Sequence, residues 1–210
     1  MKMVYYKNIL ESKKQSMMLR EYLDKKLKQA GFVDMNLESS PLGTRLNILA
    51  LRPGLVIGLH GNNVRNLMED ISKEIGLKEV SINAAEVQNP ALDPKAIALR
   101  LSNAYQKGVN FRRAATIAMN EAIAAGALGV EIKLQGKIRS ERASFQKFRA
   151  GVLPKSGYPR EAATRTSVEH VLLKMGLYGI KVTVAYKSPV LEDFKLKGDK
   201  NEENKGQQTQ

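Results

Sequence analysis

Leu19, Tyr22, Leu23, Leu27 and Ala30 recur at helical spacing, with Lys and Arg on the intervening positions. The pattern predicts an amphipathic helix. Ser12-Lys13-Lys14-Gln15 has the form of a capping box at its start, and Gly31 supplies a stop at its end. From Phe32 the period becomes two: Val33, Met35 and Leu37 turn inward, Pro41 and Gly43 make a turn, and Arg45 to Leu51 forms a second extended run. Pro53-Gly54 breaks that strand, and Leu55-Val56-Ile57 leads as a short helix into Gly58-Leu59-His60-Gly61. Val64, Leu67, Met68, Ile71 and Ile75 mark the next helix, ended by Gly76, before Val80, Ile82 and Ala84 alternate as a half-buried strand.

Asn89-Pro90 and Asp93-Pro94 punctuate the chain, with Asp93 as N-cap and Pro94 in the first helical position. Ile97, Leu101, Ala104 and Tyr105 form one stripe up to Gly108, and Asn110 caps an alanine-rich helix that runs to Gly126. Small alanines imply close packing. Val130, Ile132 and Leu134 alternate with Glu131, Lys133 and Gln135, a strand with one wet face. Thr164 to Leu172 reads as another strand and Ile180 to Tyr186 as the last, joined through a turn at Lys174-Met175-Gly176. The expected class is α+β: an N-terminal domain over 12–88 after a segment 1–11, a second α/β domain over 89–187 with two helices on a mainly antiparallel sheet, and a charged tail over 188–210. From Lys187 to Gln210 the chain has few large apolar residues, so a mobile tail is expected.

Across 210 residues, 34 Lys and Arg face 21 Asp and Glu, a formal charge of +13, while 43% of the residues are apolar. A real core is affordable and a polyanionic partner is the natural one. The chain has no cysteine, which excludes disulfides, thiol nucleophiles and thiolate zinc sites and fits a reducing cytoplasm. No stretch approaches the about 18 apolar residues of a membrane span, so a soluble, unprocessed chain without a membrane partner is expected.

Three GxxG tetrapeptides occur, at 58–61, 126–129 and 176–179, so spacing alone decides nothing. Only the first lies between helical segments on a strand-rich frame, where glycine lets a sugar-phosphate backbone approach and the next helix aims free amides at it. That is the KH arrangement, and the helix-first order is that of its type II form. The candidate loop contacts are Arg52, Gly58, Leu59, His60, Gly61, Asn62 and Arg65; a plain helix connection is the alternative. Leu59 and His60 bring no fixed charge to the loop, which must come from Arg52 and Arg65.

Arg112 and Arg113 stand in the first turn of their helix, where the macrodipole disfavours cations by about 0.3 to 1 kcal/mol each. Either an external anion offsets that cost or both side chains splay into water. Lys137, Arg139, Arg142, Lys147 and Arg149 follow with only Glu141 among them, and Lys155 and Arg160 extend the run through a Pro/Gly-punctuated loop. RNA backbone contact is one reading and a solvated face the other. Phe145 and Phe148 lie within the run, placed for base stacking or for the core.

His60 and His170 fall in different domains without metal-ligand spacing, and no Walker or GxSxG motif occurs. No metal, no cofactor and no enzymatic activity are expected.

Four segments carry a resemblance: Arg-Pro-Gly-Leu-Val-Ile-Gly at 52–58, Phe-Arg-Arg-Ala at 111–114, Gly-Val-Glu-Ile-Lys-Leu-Gln-Gly-Lys at 129–137, and Val-Glu-His-Val-Leu-Leu-Lys-Met-Gly-Leu-Tyr-Gly-Ile-Lys-Val at 168–182. Together they resemble the small-subunit ribosomal protein S-three family, over about residues 10 to 187 and in the family's order. The stretches at 136–143 and 168–173 look archaeal or eukaryote-like. The resemblance implies a structural protein of the small-subunit head in the cytoplasmic ribosome. Its partners would be ribosomal RNA, messenger RNA at the entry channel and the head proteins ten and fourteen. It further implies that Arg112 and Arg113 contact messenger; a third basic residue typical of bacterial members is Thr116 here, which leaves unwinding open. The implied mechanism is electrostatic positioning without chemistry. The rival readings are a free KH regulator of messenger RNA and a lysine-dependent nucleic-acid lyase.

Overall fold

The structure is a computed structural model that describes residues 2–40, 43–75, 80–138 and 140–187. The chain divides into two compact units, residues 1–90 and 91–210. The sequence reading of Pro41, Gly76, Arg139 and the tail 188–210 falls outside the described residues.

The first unit runs α1 (Lys2–Lys26), β1 (Phe32–Ser40), β2 (Gly43–Ala50), α2 (Pro53–Ile57), a 3-10 turn at Leu59–Gly61, α3 (Asn62–Ile75) and β3 (Val80–Glu86). β1 pairs with β2 antiparallel, whereas β2 pairs with β3 in parallel, a pairing that requires the crossover which α2 and α3 supply. A register shift between Phe32 and Asp34 turns Phe32 and Val33 both inward, 1% and 3% exposed. Leu19 and Leu23 of α1 and Leu27 in the turn after it close the core with Leu46, Ile48, Val56, Leu67 and Ile71. Lys26 pairs with Asp70, and Tyr22 donates to the same carboxylate at 3.1 Å, so α1 is tied to α3.

Residues 2–11 form the first part of α1 rather than a separate segment, and Ser12 is not a cap. Its hydroxyl donates to the carbonyl of Ile9 at 2.9 Å, inside a helix that Glu11, Lys13, Lys14 and Gln15 all favour. A capping-box pattern cannot exclude that the preceding turn is helical as well.

The second unit runs α4 (Pro94–Gln106), α5 (Phe111–Ala124), β4 (Gly129–Gly136), β5 (Ser144–Gly151), α6 (Gly157–Ala163), β6 (Thr164–Leu173) and β7 (Gly176–Ala185). Its four strands are ordered β5-β4-β7-β6 and every pairing is antiparallel. Val130, Ile132, Leu134, Ile180, Val182 and Val184 make the inner face, and Ile97, Leu101, Ala115, Met119 and Ala122 pack on it from α4 and α5. The Asp93 side chain accepts from the amide of Lys95 at 2.9 Å, the cap that its position ahead of Pro94 predicts. Lys155 precedes α6 and Arg160 lies within it, so the stretch read as a loop is helical from Gly157. Pro159 is compatible because it falls in the first turn.

Candidate nucleic-acid interface

In the first unit, α2 ends at Gly58, whose amide donates to the Gly54 carbonyl at 2.9 Å. The next three residues form the single 3-10 turn that hands over to α3. Gly58, His60 and Gly61 have φ of 71°, 52° and 75°. For His60 this is the left-handed region, which costs an L residue about 1 to 2 kcal/mol. Leu59 and His60 point outward, Leu59 83% exposed. Asn63 stands under the loop, its amide donating to the Leu55 carbonyl at 3.1 Å; a Cβ on Gly58 would lie 2.6 Å from it, whereas one on Gly61 would meet nothing within 4 Å. Gly58 is therefore fixed by packing and Gly61 leaves open surface beside the first turn of α3. Arg52 and Arg65 are exposed on either side, without an ion pair among the described residues.

The other two GxxG tetrapeptides are structural. Gly126 follows α5, and Gly129 opens β4 so close to the next chain segment that a Cβ would lie 2.2 Å from the Val152 carbonyl oxygen. Gly176 and Gly179 both belong to β7.

In the second unit, Asn110 caps α5 by accepting from the Arg112 amide at 3.0 Å. This places Arg112 and Arg113 in its first turn, exposed, with no ion pair among the described residues. The Thr116 hydroxyl is spent on its own helix, donating to the Arg112 carbonyl at 2.9 Å. Tyr105 meets Phe111 and Tyr178 edge-on at 5.7 and 5.4 Å, and Tyr178 donates to the Lys137 carbonyl. Burial and the neighbouring Tyr178 push the Tyr105 phenol up. These contacts bring the start of α5 and the β4–β5 connection, with Lys137 and Arg142, to one end of the unit.

The rest of the basic run lies elsewhere. Strand register puts Phe145, Lys147 and Arg149 opposite Gln135, Lys133 and Glu131, on the sheet face away from α4 and α5. Lys147 and Arg149 are not free cations: Glu131 pairs with Lys147 at 3.0 Å and with Arg149 at 2.9 Å. Glu141 is the one carboxylate visible within the run; Glu131 belongs to the neighbouring strand and is found only through register. Burial pushes the Glu131 carboxyl up, but hydrogen bonds from Lys147 and Arg149 outweigh it and hold the group below its ordinary value. The cations thus occupy two surfaces of the unit, not one.

Phe148 packs inward, 6.0 Å from Phe111, whereas Phe145 points out and is 64% exposed. On the same open face Lys133 is directly opposite both Lys147 and Lys181. Lys133 and Lys181 are absent from the basic residues that the sequence singles out as contacts, and the period-two alternation of β4 and β7 held the signal; of the two rings left open between stacking and core, Phe145 is the exposed one. A groove of about 240 Å³ at this face is lined by Lys147, Lys155, Arg160, Thr166, Lys181 and Thr183 among others.

Among the described residues no group of His, Asp and Glu could hold a metal ion, and no helix is long and apolar enough to cross a membrane.

The chain is similar to known proteins over most of its length. The KH domain profile matches residues 18–92, and that of ribosomal protein S3, C-terminal domain, matches residues 101–184. Small ribosomal subunit protein uS3 of Thermofilum pendens is 41% identical over 184 residues, 88% of this chain and 91% of that one. The protein of the same name from Pyrobaculum islandicum is 40% identical over 207 residues, covering 97% and 95%. That of Ignicoccus hospitalis is 36% identical over 182 residues, covering 87% and 76%.

Proposed function

The chain belongs to the small ribosomal subunit protein uS3 family of archaea, and from that premise we propose how it works on the ribosome: as a scaffold whose two units grip RNA through charge. It is a small-subunit ribosomal protein that binds RNA, and its named relatives are structural proteins rather than enzymes. Its place is the cytoplasmic ribosome. In the finer reading it sits in the subunit head beside the head proteins ten and fourteen. There it binds ribosomal RNA and borders the path by which messenger RNA enters.

The observation that carries the finer reading is the Arg112 and Arg113 pair, two exposed guanidinium groups at the positive end of α5 with no carboxylate partner among the described residues. A phosphate backbone relieves that local conflict, since guanidinium groups bind phosphate in a bidentate fork and the helix end favours the anion. Lys137 and Arg142 at the same end extend the contact. The 58–61 loop and the first turn of α3 form a second backbone contact, with Arg52 and Arg65 supplying its charge. Strand unwinding is not part of the proposal, because Thr116 offers no charge.

The test is sedimentation. The tagged chain comigrates with the small subunit in a sucrose gradient at physiological salt; a chain that stays at the top would be a free RNA-binding regulator instead.

A further inference from the structure

We propose that the open face of the second unit's sheet is an additional platform for single-stranded RNA, one that stacks a base on Phe145 and seats the phosphates along Lys147, Lys133 and Lys181. The proposal rests on the RNA-binding reading above and adds a surface to it.

The row of lysines is the first observation. β5, β4 and β7 are neighbours, and Lys147, Lys133 and Lys181 share one register line across them, so three lysine side chains leave the sheet side by side from backbones at about the 4.8 Å strand spacing. Like charges directly opposite destabilise a sheet. Glu131 relieves only Lys147, at 3.0 Å, and neither Lys133 nor Lys181 makes an ion pair among the described residues. A row built against its own repulsion fits an external polyanion.

The aromatic ring is the second. Phe145 is 64% exposed on the same face, one register step from the row, and the Lys133 ammonium lies 4.8 Å from its ring centroid. An exposed ring beside cations on a four-stranded antiparallel sheet is the chemistry that stacks unpaired bases. A base on the ring releases Lys133 to the adjoining phosphate. At the far side of the row, the hydroxyls of Thr166 and Thr183, 3.1 Å apart, and the groove beneath Arg160 extend the polar track. An acidic protein segment would satisfy the lysines but has no use for the ring, and therefore RNA is the occupant argued for.

The test uses the full chain and a fluorescein-labelled ten-residue oligouridylate. Phe145→Leu keeps an apolar side chain without a ring and weakens binding about tenfold, the size of one missing stack; Phe145→Trp restores it. Lys133→Gln with Lys181→Gln lowers the slope of log affinity against log salt by about 1.4, or 0.7 for each phosphate no longer neutralised. Loss of binding equal in Phe145→Leu and Phe145→Trp overturns the stack, as do affinities unchanged in all variants. Failure of oligouridylate to displace a bound polyglutamate probe would assign the face to an acidic protein and overturn it too. If the wild type comigrates with the small subunit while these variants bind as it does, only the platform falls; if the wild type does not comigrate, the ribosomal reading falls with it.

Discussion

Arg149 donates from both Nε and Nη2 to one oxygen of Glu131, at 3.1 and 2.9 Å, across the β4–β5 pair. Glu131 is thereby the counter-charge for two cations of a run in which the sequence shows only Glu141 as an acid. Its carboxylate is 17% exposed and its partners are 41% and 35% exposed, so solvent screens the pair only in part. Glu131→Gln should cost about 1 kcal/mol at neutral pH, measured by urea denaturation. The folded carboxyl lies below its ordinary value of 4.5, and the stabilising increment is therefore present above that pH and lost as pH falls through the folded value. Between neutrality and acid the gap between wild type and variant should close; a gap that stays constant would mean that the ion pair is not its source.

The glycines at 58 and 61 separate packing from contact. Gly61→Asp places a negative charge on open surface beside the first turn of α3 and should reduce crosslinking of the loop to RNA severalfold, at a cost of about 1 kcal/mol in stability because φ is 75° there. Aspartate tolerates the left-handed region better than most residues. Gly58→Asp should instead destabilise the first unit, because its Cβ meets Asn63 at 2.6 Å. Equal crosslinking in Gly61→Asp and wild type would return the loop to a plain helix connection.

Gly129 is the counterexample among the GxxG glycines. A methyl group there would lie 2.2 Å from a backbone oxygen, so Gly129→Ala should lower stability by about 3 kcal/mol, with a lowered melting temperature as the readout. A change below half of that would show that the β4–β5 backbone has room to move.

The order of elements was legible because periodicity and punctuation agree: the Asp93 and Asn110 caps, the short helix before the glycine loop and the alternation of β4 all form as the pattern directs. The start of α1 was not, since a serine that can cap can also bond within a helix. Which cations are free was illegible for a different reason. The pairing of Glu131 with Lys147 and Arg149, and the opposite fates of Phe145 and Phe148, depend on strand register and on which face α4 and α5 cover. Composition along the chain records neither. Arg112 and Arg113 were legible because their conflict with the helix dipole is local.

The central claim is that exposed, unpaired arginines at the start of α5 hold an RNA backbone. Small subunits carrying Arg112→Ala with Arg113→Ala, collected from the subunit peak of a gradient, should bind single-stranded messenger more weakly, with the salt slope lowered by about 1.4. Messenger binding with the same affinity and the same slope as wild-type subunits would contradict the account.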